Sequence, residues 1–303
     1  MSVIGVSGQD SRPRYIVLDK YSLMKGGAGS GNFGHSGRPG EIGGSSSAGS
    51  MMDKPSSFFT PSRPDGLDTK ERFSDGKGNY TEQRAALHEA IMAKYLAGTS
   101  PVAGPTAIIL GGGPGTGKTT LVNQQGLVGP NTVSVSADDI RDHLPEFKPS
   151  AGKPISVAET HEEASDIAKA LTARAGSGSR NIVLDGTGDT TLQKLGGKIA
   201  ALKATGHAII GEYVTTSIAE AQQRADARGQ RTGRFVPPTA LREMHRAVSG
   251  IFPEAVKQGL FDKARLWDTS GPLGSKATLV AKSTGRVLTV YDTGMWNSFV
   301  EKQ

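Results

Sequence analysis

Residues 112 to 119 read Gly-Gly-Pro-Gly-Thr-Gly-Lys-Thr, the spacing G-x-x-x-x-G-K-T that lets a backbone close around a phosphate. Glycines permit the turn, successive amide NH groups face the anion, and Lys118 reaches the β- and γ-phosphates of a nucleotide. The hydroxyl of Thr119 suits a Mg²⁺ ion carried by those phosphates. The candidate phosphate contacts are Gly113, Gly115, Thr116, Gly117, Lys118, Thr119 and Thr120. Two acidic stretches follow: "SADD", with Asp138 and Asp139, and "DGTG", with Asp185 and Thr187. Next come Arg224, Arg228, Arg231 and Arg234 within "QQRADARGQRTGR". A carboxylate to accept a proton, cations to neutralise spreading negative charge and a metal ligand are what phosphoryl transfer to a hydroxyl requires.

These groups need a scaffold that brings them to one place. Residues 106–110, "TAIIL", form a short apolar run rich in β-branched side chains, which predicts a buried strand leading into the glycine loop. "KTTLVNQQ" after it can start a helix, whose N-terminal partial charge favours an anion. Strand-like and helical runs then alternate: "TVSVSADD", "HEEASDIAKALTARA", "NIVLDGTGD", "LQKLGGKIAALKATG", "AIIGEYVTT" and a helix from Ile218 through the arginines. Such alternation predicts an α/β fold of the P-loop kinase type, a parallel sheet flanked by helices with its reactive groups at the carboxyl ends of the strands. An acid after a strand can equally cap a helix. Near the end, "ATLVAKSTGRVLTVYD" predicts an added β-hairpin about a turn at residues 283–286. A helix over residues 81–97, with Thr81 as N-cap, either packs on the domain edge or lies over the nucleotide site.

Composition bounds the rest. Residues 25–50 hold ten glycines and six serines, and prolines interrupt residues 51–80, so residues 1–80 are expected to be a disordered tail and 81–303 the folded domain. The chain has no cysteine, which excludes disulfides and thiolate metal sites. Its net charge of +6 is spread along the chain with few aromatics, which argues against a nucleic-acid surface; a kinase of a nucleic-acid or nucleotide hydroxyl, motivated by the basic charge, and a phage-encoded interaction protein with a non-catalytic P-loop are the alternative readings. No stretch approaches the roughly 20 apolar residues of a membrane span. The N-terminus has no signal-peptide pattern, so a cytoplasmic location is expected.

From residue 80 to about 272 the sequence resembles the zeta-toxin family of P-loop kinases. The resemblance rests on ordered blocks: "GGGPGTGKTTL", "VSADDIRDHLPEF", "NIVLDGTGDTT", the arginine segment and "GLFDKARLWD". It implies a kinase that uses ATP to phosphorylate a small acceptor, in characterised members the 3′-hydroxyl of the sugar of a UDP-N-acetyl-hexosamine. By position it implies Asp138 as catalytic base, Lys118 and Thr119 at phosphate and Mg²⁺, and Arg234 at the γ-phosphate. Either Arg224 or Arg228 supplies a second phosphate-binding arginine. The family's acid on the first substrate helix matches Glu162, Glu163 or Asp166, with Ser165 nearest by direct alignment, and Glu163 is carried forward with Asp185 and Thr187 as substrate contacts. A hydroxyl-bearing contact of the family falls here on Gly197. Such kinases usually come with a separate antitoxin protein, the implied partner. The glycine-rich segment is similar to one found in proteins of tailed phages.

Overall fold

The computed structural model describes residues 14–17, 68–75, 77–147, 157–186, 191–232, 235–272 and 274–302. Thr187, Arg234 and the glycine-rich segment 25–50 lie outside the described residues. The strands are β1 (Arg14–Val17), β2 (Thr106–Gly111), β3 (Thr132–Ser136), β4 (Asn181–Asp185), β5 (Ala208–Thr215), β6 (Lys263–Asp268), β7 (Thr278–Thr284) and β8 (Val287–Val290). The helices are α1 (Thr69–Phe73), α2 (Glu82–Leu96), α3 (Lys118–Gln125), α4 (Ala137–Arg141), α5 (Val157–Ser177), α6 (Leu192–Ala204), α7 (Ile218–Thr232), α8 (Pro238–Gln258) and α9 (Thr293–Val300).

One sheet takes the order β1-β8-β7-β6-β5-β2-β4-β3. Strands β3, β4, β2, β5 and β6 run parallel, and β7, β8 and β1 complete the sheet antiparallel. Helices cover both faces of the parallel part, so its strands are apolar on both sides: Ala107, Ile109, Ile182, Ile209 and Val133 are buried on one face, and Leu110, Val183 and Val214 on the other. The expected hairpin is β7–β8. Two short segments of the stretch assigned to a tail have places in the fold. Arg14–Val17 adds a strand beside β8, and Asp68 caps α1 with a reciprocal bond to Glu71. Both satisfy backbone groups that an isolated segment would leave to water.

The alternation read from sequence omits α8, β6 and α9. Strand β6, "KARLWD", hides its character because Arg265 stands in the middle of it. In the sheet Arg265 Nε donates to Glu212 Oε1 at 2.7 Å and Trp267 Nε1 donates to Glu212 Oε2 at 2.7 Å. Glu212 is itself fully buried in β5, so the strand carries its own countercharge. Strand β3 also ends earlier than expected, at Ser136, whose hydroxyl accepts from Asp139 N and starts α4. Asp138 and Asp139 therefore lie in the first turn of a helix.

Helix α2 packs on the sheet edge against α5 and β3, the first of the two placements open to it. Thr81 caps it as expected. A buried charge cluster fixes it. Arg84 Nε and Nη2 donate to Glu163 at 2.6 and 2.8 Å, and its Nη1 and Nη2 donate to Glu146 at 3.0 and 2.8 Å. His88 Nε2 lies 2.6 Å from Glu163 Oε1, and the Arg84 guanidinium stacks 4.1 Å from the Phe73 ring centre. Lys70 and Tyr80 both reach Asp166, at 2.8 and 3.0 Å. Burial alone would push the Glu163 carboxyl up, but the bonds from His88 and Arg84 outweigh it and hold it down at about 2. By contrast, the Arg174–Glu89 pair between α2 and α5 is exposed and contributes little.

Arg84→Met keeps packing volume and leaves Glu163 buried without its guanidinium, so it should cost about 3–5 kcal/mol in urea unfolding at pH 7. The depressed Glu163 pKa places its stabilising contribution above the ordinary carboxyl value of 4.5, with loss as pH falls from there towards about 2. Glu163→Gln should flatten unfolding free energy over that acid range.

Candidate active site

The glycine loop leaves the carboxyl end of β2 and enters α3, as its sequence requires. Gly115 has φ +78°, and a Cβ there would lie 2.2 Å from the Ala221 carbonyl oxygen. A Cβ on Gly113 would strike the His245 ring at 2.2 Å. Both positions thus demand glycine because another element presses against the loop. Gly117, also at positive φ, is the N-cap of α3, and its lack of a side chain keeps the helix amides open. Thr116 Oγ1 donates to the Gly113 carbonyl at 2.8 Å and tightens the turn from within. Thr119 and Thr120 are exposed in the first turn of α3.

Lys118 Nζ donates to the Gly112 carbonyl at 2.8 Å. Burial lowers its proton affinity, the charges of Asp185 and Asp138 work against that, and Arg228 adds to it. A desolvated ammonium of this kind is stabilised by any anion that enters the loop. The same pattern places Lys118, Asp138, Asp185 and Arg228 in one electrostatic neighbourhood.

Three groups brace the loop from behind, and two of them, His245 and Thr269, did not stand out in the sequence. His245 on α8 is 3% exposed and its Nε2 donates to the Pro114 carbonyl at 2.9 Å. Burial dominates its proton affinity, Lys302 and Lys118 lower it further, and the imidazole stays neutral down to about 4. Thr269, just after β6, donates from Oγ1 to the Thr116 carbonyl at 2.6 Å. Arg224 anchors that following loop: its Nη2 donates to the carbonyls of Thr269 at 2.8 Å and Gly271 at 3.3 Å, and pairs with Glu220. Of the two arginines left open as the second phosphate contact, Arg224 is thus engaged by the loop after β6, and Arg228 is the one whose charge acts on Lys118.

On the other side of β2 lie the acids. Because β4 sits between β2 and β3, and Ser136 pairs with Asp185 in register, Asp185 stands between the glycine loop and the start of α4. Burial raises its pKa, Lys118 opposes that, and the charges of Asp139 and Asp138 add to it. Asp138 is 60% exposed and is gripped at Oδ1 by Arg141 Nη1, whose own side chain is 2% exposed. Arg141 Nη2 donates to His161 Nδ1 at 3.1 Å, which requires a neutral imidazole, and burial together with the Arg141 charge lowers the His161 pKa. The guanidinium also lies 5.6 Å from the Phe147 ring centre. A buried cation therefore orients an accessible carboxylate that faces the phosphate side. Arg141 was legible only as the basic residue of its block, and His161 not at all.

Glu163, expected at the acceptor, has no exposed surface here and its carboxylate belongs to the Arg84 cluster. Desolvating a carboxylate among these cations gives a clamp, where a ligand contact needs surface. Asp166 is likewise engaged by Lys70 and Tyr80, and Ser165 donates to the His161 carbonyl at 2.8 Å. Gly197 is exposed on α6.

The neutral state of His245 has a measurable consequence. Its folded pKa of about 4 lies below the ordinary 6.5, so the unfolded chain takes up the proton first and stability declines as pH falls from 6.5 towards about 4. His245→Gln keeps a donor without a titrating ring and should flatten part of this decline in pH-dependent urea midpoints; His161, whose pKa is also lowered, contributes in the same direction.

No curated protein sequence matches the chain. By structure it is similar to the AvrRxo1-ORF1 complex with AvrRxo1-ORF2 and sulphate ions, at TM-score 0.63 and 17% identity over 78% of this chain and 83% of that one. The same complex solved with ATP gives TM-score 0.63 with the same identity and coverage. The PezAT chromosomal toxin–antitoxin system of Streptococcus pneumoniae follows at TM-score 0.52 and 20% identity, over 63% and 78% of the two chains. These likenesses establish the fold, and residues 92–271, more than half of the chain, match the family described as Zeta toxin. The chain belongs to the zeta toxin family.

Proposed function

We propose that the chain is a Mg²⁺-dependent kinase that moves the γ-phosphate of ATP to a hydroxyl of a small acceptor, with a UDP-N-acetyl-hexosamine as the first acceptor to test. Family membership supports the ATP-dependent kinase of toxin type. The observation that carries the reading is the meeting of Lys118, Asp138 and Asp185 at the ends of three neighbouring strands and the elements that follow them.

In this reading the loop amides and Lys118 hold the β- and γ-phosphates, and Arg228 approaches from α7. Asp138, oriented by Arg141, accepts the acceptor's proton as that oxygen attacks the γ-phosphorus and the bond to the β-phosphate oxygen breaks. Catalysis here is positioning and charge neutralisation, so the cations carry most of it. Arg234 and Thr187 keep the roles the resemblance implies, at the γ-phosphate and the acceptor. Among the described residues no cluster of three His, Cys, Asp or Glu offers a protein cage for a metal. That donor set fits Mg²⁺, which is commonly held by substrate phosphates with one or two protein oxygens, here the Thr119 hydroxyl with Asp185 close to the loop. Bound there, the ion would neutralise charge between the β- and γ-oxygens. A separate antitoxin is the partner to seek, since the AvrRxo1 and PezAT neighbours are complexes of two proteins.

Incubation with γ-labelled ATP and either UDP-N-acetylglucosamine or a 5′-hydroxyl oligonucleotide should label the sugar nucleotide. Label on the oligonucleotide alone would overturn the acceptor, and no transfer to either would remove the support for this acceptor class. Asp138→Asn should lower kcat by about 10²–10⁴-fold while an ATP analogue binds within about twofold of wild type. Full turnover in that variant would move the base to Asp139.

A further inference from the structure

The family match ends at residue 271, yet β7, β8 and α9 follow it, and the last of these brings a lysine back to the nucleotide site. Helix α9 starts at Asp292, which accepts from Met295 N, and docks on α8 through Trp296 and Phe299, whose rings lie 6.4 and 6.0 Å from that of Phe252. The chain then turns so that Lys302 Nζ donates to Thr215 Oγ1 and to the Thr216 carbonyl, both at 2.6 Å. Thr215 and Thr216 are 3% and 1% exposed at the carboxyl end of β5. Arg246 Nε holds the Lys302 carbonyl at 3.4 Å, and the ammonium lies 5.8 Å from the Phe299 ring centre.

From there a short relay leads to the loop. Thr269 N and Oγ1 donate to the Thr215 carbonyl at 3.0 and 3.2 Å, and the same Oγ1 reaches the Thr116 carbonyl at 2.6 Å. The charge acts as well as the bonds, because Lys302 and Lys118 both lower the proton affinity of His245, the imidazole that braces Pro114. The groups facing the ammonium are thus Asp268 at the end of β6, His245 on α8 and the two threonines, while Arg246 holds the backbone carbonyl of the same lysine. Its burial lowers its pKa to about 8, against the pull of Asp268, so it remains largely charged at neutral pH.

We propose that Lys302 is a positioning residue of the nucleotide site: the segment beyond the family domain locks the phosphate loop through Thr215, Thr269 and Thr116 and places a second positive charge behind it. The proposal rests on the nucleotide-binding half of the function above and not on the acceptor. Its ligand is the triphosphate, and its role is to raise affinity for that group without touching it.

Calorimetric titration of the Mg²⁺ complex of a non-hydrolysable ATP analogue into the full chain tests it without any acceptor. Lys302→Met should weaken binding about five- to tenfold, a change that a lost charge-assisted bond is sufficient to produce. Lys302→Arg should recover part of the loss, and Thr269→Val combined with Lys302→Met should be less than additive because both cut one relay. Should the Met variant fail to fold, Lys302→Gln keeps a donor, lacks the charge and reads the same binding constant. Affinity within twofold of wild type in the soluble variant, or full additivity with Thr269→Val, overturns the proposal. Failure of the wild-type chain to bind the analogue overturns the nucleotide reading together with it.

Discussion

A half-buried lysine ammonium that donates to a carbonyl in its own loop, Lys118 to Gly112, is the constraint around which the rest of the structure is arranged. Desolvating a cation is costly, and the chain offsets that cost with acids near enough to be felt, Asp185 and Asp138. The charge therefore stays poised for an incoming anion. That arrangement holds only if the loop keeps its shape, and the loop keeps its shape because other elements press on it. Ala221 of α7 closes on Gly115, His245 of α8 on Gly113, and Thr269 behind β6 on Thr116. The parallel sheet supplies the common edge from which all of these converge.

Solvent exposure separates two kinds of acid in this chain. Glu163 and Glu212 have no exposed surface and are surrounded by donors, so each cements a helix or a strand in place. Asp138 is largely exposed, and a buried guanidinium fixes one of its oxygens. A carboxylate thus serves as mortar in one place and is held at the surface in another. Removing a buried partner leaves an uncompensated charge, which is why the clamp at Arg84 is expected to matter more for stability than any surface pair.

Much of this was legible in the sequence. The strand, glycine loop and helix around Lys118 follow from local rules, and the order of apolar and amphipathic runs dictated the parallel sheet and the hairpin. The positions of Asp138 and Asp185 at neighbouring strand ends followed as well. What stayed hidden depended on contacts far apart in the chain. Nothing local to His245 or Lys302 marks them, since their partners lie 131 and 86 or more residues away. Strand β6 was obscured because its arginine is neutralised only after β5 lies beside it. The burial of Glu163 was hidden because a helix-start acid gives no local sign of whether solvent or Arg84 will face it.

The account stands or falls on whether Lys118 is the phosphate's cation. Titration of an ATP analogue with Mg²⁺ into the wild-type chain and into Lys118→Met measures this directly. The account predicts saturable binding to the wild type and affinity weaker by about a hundredfold in the variant, with the fold intact by circular dichroism. Equal affinity in the two chains would contradict it.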